Sequence, residues 1–93
     1  MDYYAGDTPY SLVIADLNRD SHPDLILTNR TSETVSVLLN RGNGTFRERM
    51  EYETGHQTYS VVAIDLQGDS YADLAVTSCG DDTVSLLLNT VPP

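Results

Sequence analysis

Asp16-Leu17-Asn18-Arg19-Asp20-Ser21-His22-Pro23-Asp24-Leu25 returns 49 residues later as Asp65-Leu66-Gln67-Gly68-Asp69-Ser70-Tyr71-Ala72-Asp73-Leu74. The two stretches are the centre of a longer repeat. Residues 3–40 align without a gap on residues 52–89, with 18 identities in 38 positions. Tyr10-Ser11 returns as Tyr59-Ser60, Thr34-Val35-Ser36 as Thr83-Val84-Ser85, and Leu38-Leu39-Asn40 as Leu87-Leu88-Asn89. Repetition at this period marks stacked units that bury their apolar faces against one another. The chain divides into units 3–51 and 52–93 of a single domain spanning residues 1–93.

Around each quoted stretch the apolar runs are short. Ser11 to Ala15, Leu25 to Thr28 and Thr34 to Leu39 are too brief for helices and rich in residues that favour strands. Asn40-Arg41-Gly42-Asn43-Gly44 is a turn, and Phe46 to Tyr52 alternates as an exposed outer strand does. Leu12-Val13-Ile14 and Val37-Leu38-Leu39 are apolar on successive residues, which predicts burial on both faces of the sheet. The charged Phe46–Tyr52 segment suits an edge. Three buried strands and one polar outer strand per unit describe a blade of a β-propeller, so the expected fold is all-β, built of four-stranded antiparallel sheets. A small seven-stranded sandwich is the rival architecture, but it does not require so close a repeat. The second unit stops short of its outer strand, so that blade is expected to be incomplete and to be completed by oligomerisation.

The quoted loops carry the chemistry. Side-chain oxygens recur at positions 1, 3, 5 and 9, which lets alternate residues point at one centre. Calcium takes six to eight hard oxygen ligands in a flexible geometry and suits this set better than magnesium, which demands a strict octahedron. Three converging carboxylates also repel one another unless a cation sits between them. The plain alternative is a solvated acidic turn whose Asp residues accept backbone hydrogen bonds. An EF-hand is excluded: Ser21 and Ser70 occupy its glycine position, Leu27 and Val76 its bidentate glutamate position, and the flanks read as strands.

Asp-x-Asn-x-Asp-x-x-x-Asp-Leu, followed by Thr-Val-Ser-Val-Leu-Leu-Asn and Gly-Asn-Gly-Thr-Phe, resembles the FG-GAP/VCBS repeat family, to whose broad class the calcium-binding blades of integrin α-subunits belong. The resemblance covers almost the whole chain. It implies propeller blades with one Ca2+ in each hairpin loop, two per chain, in extracellular or cell-surface proteins. Carried over by position, it implies the ligands Asp16, Asn18, Asp20, His22 (through its carbonyl) and Asp24, then Asp65, Gln67, Asp69, Tyr71 (through its carbonyl) and Asp73. Gln67 replaces the usual Asp or Asn, and Arg19 and Ser21 stand where the family often has Gly.

Composition narrows the partners. Fourteen acids against five Arg and no Lys give a formal net charge of −9, which repels nucleic acids and anionic membranes. No apolar run is long enough to span a bilayer, and Met1-Asp2-Tyr3-Tyr4 does not read as a signal peptide. All five Arg precede Met50, and the remainder holds seven acids and no base. Cys79 is single, so no internal disulfide is available. Asn29-Arg30-Thr31 is a glycosylation sequon.

These features predict a calcium-binding scaffold of the adhesion type and no enzyme: His22 and His56 do not recur at matching positions, and no nucleophile stands beside a base. Chains are expected to join head to tail into a closed ring, a trimer with six blades or a tetramer with eight, with the Tyr3-Tyr4 segment supplementing a neighbour's last blade. A calcium-dependent lectin-like module, with Tyr10, Tyr59 and Tyr71 stacking on a glycan, is the alternative, as is an engineered or truncated piece of a larger propeller. A protein or glycan ligand fits either reading.

Overall fold

The computed structural model describes residues 2, 6, 8–31, 33–55, 58–69, 71–78, 80 and 82–88. Among them there are seven strands and no helix. Strands β1 (Pro9–Ala15), β2 (Asp24–Asn29), β3 (Thr34–Leu38) and β4 (Met50–Glu53) form one antiparallel sheet in the order β1-β2-β3-β4. Strands β5 (Thr58–Ile64), β6 (Asp73–Ser78) and β7 (Thr83–Leu87) form a second, three-stranded antiparallel sheet in the order β5-β6-β7. Strands β5-β6-β7 repeat the pairing of β1-β2-β3 residue for residue. Val, Ile, Leu and Thr dominate the strands because branched side chains pack well on a pleated surface. No helix of the described residues is long and apolar enough to cross a membrane.

Each sheet opens on the same irregularity. The β1–β2 register slips between Pro9 and Ser11, and the β5–β6 register slips between Thr58 and Ser60. In both, a threonine hydroxyl from the neighbouring strand accepts the amide that the slip displaces: Ser11 N donates to Thr28 Oγ1 at 3.0 Å, and Ser60 N to Thr77 Oγ1 at 3.1 Å. The residue set out of the ladder is a tyrosine each time, Tyr10 or Tyr59. A bulge of this kind re-aims one side chain. Here it brings the two rings together, with centroids 4.8 Å apart.

The sheets stack with β5 lying against β1 and β2. Alternation along the strands assigns the faces. Val13, Ala15, Ile26, Val35 and Val37 share one face of the first sheet, and Val61, Ala63, Leu74, Val76 and Leu87 share one face of the second. All ten belong to the one core or pack against it, and Leu17 closes it at the loop end. Two hydroxyls also cross the joint: Thr58 Oγ1 donates to the Asn29 carbonyl at 2.9 Å, and Thr28 Oγ1 to the Tyr59 carbonyl at 3.4 Å.

Three expectations are modified. Burial on both faces holds for β3 but not for β1, where Leu12 and Ile14 are 53% and 62% exposed. Thr34, Ser36 and Leu38 are buried on the face that Leu12 and Ile14 share, so cover on that face reaches β3 but not the edge strand β1, whose alternate residues stay exposed. The outer strand is shorter than Phe46–Tyr52 and begins at Met50. Before it, Phe46 makes a single bridge to Asn40, and Arg47 N donates to the Leu39 carbonyl at 2.8 Å. The turn ahead of it explains this: Arg41 N closes on the Thr45 carbonyl, and the Asn40 and Asn43 side chains accept the amides of Gly42 and Thr45. Local side-chain bonds there take the place of a ladder. Strand β4 also runs across the division at residues 51 and 52 and belongs wholly to the first sheet. Tyr3-Tyr4, His56, Cys79 and the last five residues lie outside the described residues.

Candidate metal centres

Both loops are hairpin connections between the first two strands of a sheet, closed by the pairs Ala15–Asp24 and Ile64–Asp73. Each is wound by its own first aspartate. Asp16 accepts the amides of Asp20 at 3.3 Å and Ser21 at 2.9 Å, and Asp65 Oδ1 accepts those of Gln67, Gly68 and Asp69 at 3.2, 2.7 and 3.2 Å. Such bonds draw a short loop into a ring. The curl requires left-handed backbone, with φ of 59° at Arg19, 67° at Ser21 and 75° at Gly68. Arg19 and Ser21 thus take the conformation that glycine adopts freely.

The other two acids repeat as closely. Asp20 Oδ1 accepts the His22 amide at 3.0 Å, and Asp69 Oδ1 the Tyr71 amide at 3.1 Å. Asp24 Oδ2 accepts the Leu17 amide at 3.0 Å, and Asp73 Oδ2 the Leu66 amide at 3.1 Å. Asp24 and Asp73 are fully buried, whereas Asp20 and Asp65 are exposed. The result is two clusters, Asp16/Asp20/Asp24 and Asp65/Asp69/Asp73, in each of which one ligand atom per residue lies within 4.8 Å of the others.

The residues fit a hard cation. The Asn18 amide end lies 2.9 and 3.2 Å from the two Asp20 oxygens and 3.2 Å from Asp16 Oδ1. With nitrogen turned inward it donates to these carboxylates. With oxygen turned inward it enlarges an all-oxygen cluster, which a cation makes favourable. Electrostatics agree. Burial pushes the Asp24 carboxyl above its usual range, the amides of Asn40 and Leu17 pull it back, and the charges of Asp20 and Asp16 push it up again. The His22 amide holds the exposed Asp20 below its usual range. The acids of a solvated turn also accept backbone bonds; what these loops add is a buried carboxylate beside two others in each cluster, a set that could hold a metal ion.

The sequence-derived ligands are therefore brought together in part by contact and in part by register. Asp16, Asn18, Asp20 and Asp24 meet in the first loop, and Asp65, Asp69 and Asp73 in the second. Gln67 stands at the repeat position of Asn18.

Three residues that hold the first loop were not singled out as site residues. Asn40 donates its backbone amide to Asp24 Oδ1 at 2.8 Å and its side-chain nitrogen to the Pro23 carbonyl at 2.9 Å. It ties the turn after β3 to the loop, and its recurrence as Asn89 was the available signal. Gly42 lies against the His22 ring: a Cβ there, at φ of 82°, would come 2.6 Å from Nε2. Arg19 reaches the second loop, its guanidinium 5.3 Å from the centre of the Tyr71 ring, so the two loops touch across the joint.

Two other sequence features find their place. The sequon asparagine, Asn29, is fully buried and donates to Thr34 Oγ1 and Ser36 Oγ at 3.2 and 2.6 Å, so the folded chain offers no nitrogen for a glycan. Tyr10 and Tyr59 face one another, Arg30 lies over Tyr10 at 5.4 Å, and Arg19 lies over Tyr71. These rings spend faces on contacts within the chain, which weakens them as a sugar platform.

Comparison with known proteins agrees with the repeat. The sequence profile of the FG-GAP-like repeat matches residues 16–76, more than half of the chain. No curated protein and no solved structure gives a significant match.

Proposed function

The chain belongs to the FG-GAP-like repeat family, and from that premise we propose that it is a calcium-binding propeller-type scaffold whose role is binding rather than catalysis. The single observation that carries this reading is the doubling: three aspartates converge in each of two loops, by the same hydrogen bonds, at the same repeat positions. Calcium is favoured over magnesium because each set mixes carboxylates, an amide and loop carbonyls in a flexible hairpin. Two ions would bring the formal charge from −9 to about −5.

The ion's place explains its effect. Each cluster joins the end of one strand to the start of the next, and Asp24 adds the turn after β3 through Asn40. Calcium bound there clamps three segments of the first blade. By mass action, free calcium at a hundredfold its Kd stabilises the folded chain by about 2.7 kcal/mol per site. A protein so dependent on the ion suits a calcium-rich extracellular or cell-surface setting, and the assembly this reading expects is a head-to-tail ring of six or eight blades.

Thermal unfolding of the chain in millimolar calcium, magnesium or chelator tests the reading. The midpoint is expected to rise by several degrees in calcium and by much less in magnesium. Equal midpoints in calcium and chelator would remove the metal from the account.

A further inference from the structure

The most apolar exposed surface of the second blade has a buried counterpart within the same chain. Val62, Ile64, Val84 and Leu86 are 53 to 61% exposed, and the strand registers put them on one face of the second sheet. Their repeat equivalents are Val13, Ala15, Val35 and Val37, the very residues by which the first sheet packs on the second. At the loop end, Leu66 and Leu88 are exposed, while their equivalents Leu17 and Leu39 are buried in the core. The first blade shows the converse. Leu12 and Ile14 are exposed on the face they share with the half-buried Leu25 and Leu27 and the buried Leu38. The equivalents of those five are Val61, Ala63, Leu74, Val76 and Leu87, which receive the first blade in the internal joint.

We propose that the exposed face of the second blade receives the exposed first-blade face of another copy of this chain, repeating between copies the joint that exists within one. The proposal deepens the scaffold reading and rests on its propeller-type blades, but not on its calcium. The two surfaces meet the requirement for a head-to-tail contact: they differ from one another, and one molecule carries both. A joint of this kind is already realised in the fold, which is why a second copy, rather than an unrelated partner, is the fitting occupant of an apolar face.

The polar features at the joint carry over in part. Thr77 stands where Thr28 does; its hydroxyl donates to the Ser60 carbonyl at 3.4 Å in the single chain and would turn to the Tyr10 carbonyl of the next copy, as Thr28 reaches that of Tyr59. Tyr59 stands where Tyr10 does at the internal joint, so its ring edge would meet the next copy's Tyr10 as a tilted pair. Two clasps do not carry over. Pro9 replaces the hydroxyl that Thr58 gives to Asn29, and Gly68 and His22 replace the pair Arg19 and Tyr71. In exchange the contact between copies is bulkier, with Ile64 and Ile14 where the internal joint has Ala15 and Ala63. Layers that change size together on both partners keep each joint filled, which is how close-packed interfaces are matched.

Light scattering coupled to size exclusion, on the full chain at tens of micromolar in calcium, tests this with two variants. Leu12→Asp spoils the first-blade face, and Leu86→Asp the second-blade face. Both side chains are exposed in the single chain, so strand content by circular dichroism and calcium binding should be retained. Leu12→Ser and Leu86→Ser carry the same test should either aspartate variant lose its strand signal. Wild type is expected at three or four times the 10.2 kDa of one chain. Each variant alone is expected at the mass of one chain, and an equimolar mixture of the two at the mass of two, because it holds one intact pair of faces. A monomeric wild type, an oligomer unaffected by either substitution, or a mixture that stays monomeric would overturn the proposal. If assembly fails while calcium still raises the melting midpoint, the docking is wrong and the metal reading stands. If assembly persists and calcium has no effect, the reverse holds.

Discussion

Leu17 and Leu66 occupy the same place in the two loops, and each donates its amide to the last aspartate of its cluster, yet Leu17 is 1% exposed and Leu66 47%. Their local structures agree, so the difference comes from what lies against them. The second blade covers Leu17, and no described residue of the chain covers Leu66 to the same depth. Burial here is a property of the joint between blades rather than of the blade, as in repeat proteins whose stability is a sum of unit and interface terms.

The core leucine therefore gives the first prediction. Leu17→Ala removes apolar volume from the closed joint and is expected to cost about 2–5 kcal/mol. Denaturant unfolding in calcium checks the value. A loss below about 0.5 kcal/mol, the range of ordinary surface changes, would mean that the two blades do not pack as described.

Gly42 and Gly44 separate backbone strain from crowding. Both have positive φ, 82° and 89°, but a Cβ at Gly42 meets the His22 ring while one at Gly44 meets nothing within 4 Å. Alanine at either site should lose about 1–2 kcal/mol to the left-handed backbone. Gly42→Ala should lose roughly 1 kcal/mol more for the ring it displaces. Equal losses in parallel urea titrations would show that His22 does not rest on the turn.

Ser21 offers the opposite case. It sits at φ of 67°, and its side chain makes none of the bonds that wind the loop, which come from its amide. Ser21→Gly is expected to raise stability by about 0.5–1 kcal/mol through relief of that strain. A fall in the melting midpoint of the calcium-loaded protein would contradict it.

The dependence on pH follows from Asp24. Its carboxyl is raised above 3.8 in the folded chain, so the folded state binds that proton more tightly than the unfolded one. The resulting stability is present below the unfolded value and is lost as pH rises through the folded value. Asp20 is shifted the other way, but it is fully exposed and contributes little. In chelator, wild type should therefore lose stability relative to Asp24→Asn as pH climbs above the usual carboxylate range. In calcium the trend should reverse, because the ion binds the deprotonated carboxylate. Parallel lines for the two proteins in chelator would exclude Asp24 as the source.

Much of this architecture is legible in the residues. The 49-residue repeat, the strand runs and the loop spacing all survive in the structure, because each rests on local chemistry: alternation, turn residues and acids at fixed offsets. What escapes a linear reading depends on the partner across a joint. Leu12-Val13-Ile14 reads as buried on both faces, but which of the three is covered depends on which sheet face meets the other blade. Asn29 reads as a glycan acceptor, yet the fold seals it beneath Thr34 and Ser36. Tyr10 and Tyr59 read as stacking platforms, but the paired bulges turn them toward each other. The Thr28 and Thr77 hydroxyls that hold those bulges repeat in plain view, and only the register shows their use.

Calorimetric titration of calcium into chelator-treated protein tests the central claim most directly. Wild type is expected to bind two ions per chain, and Asp24→Asn and Asp73→Asn one each, because each variant removes the buried carboxylate of a single cluster. Wild type that takes up no calcium at millimolar concentrations, or variants that still bind two ions, would contradict the account.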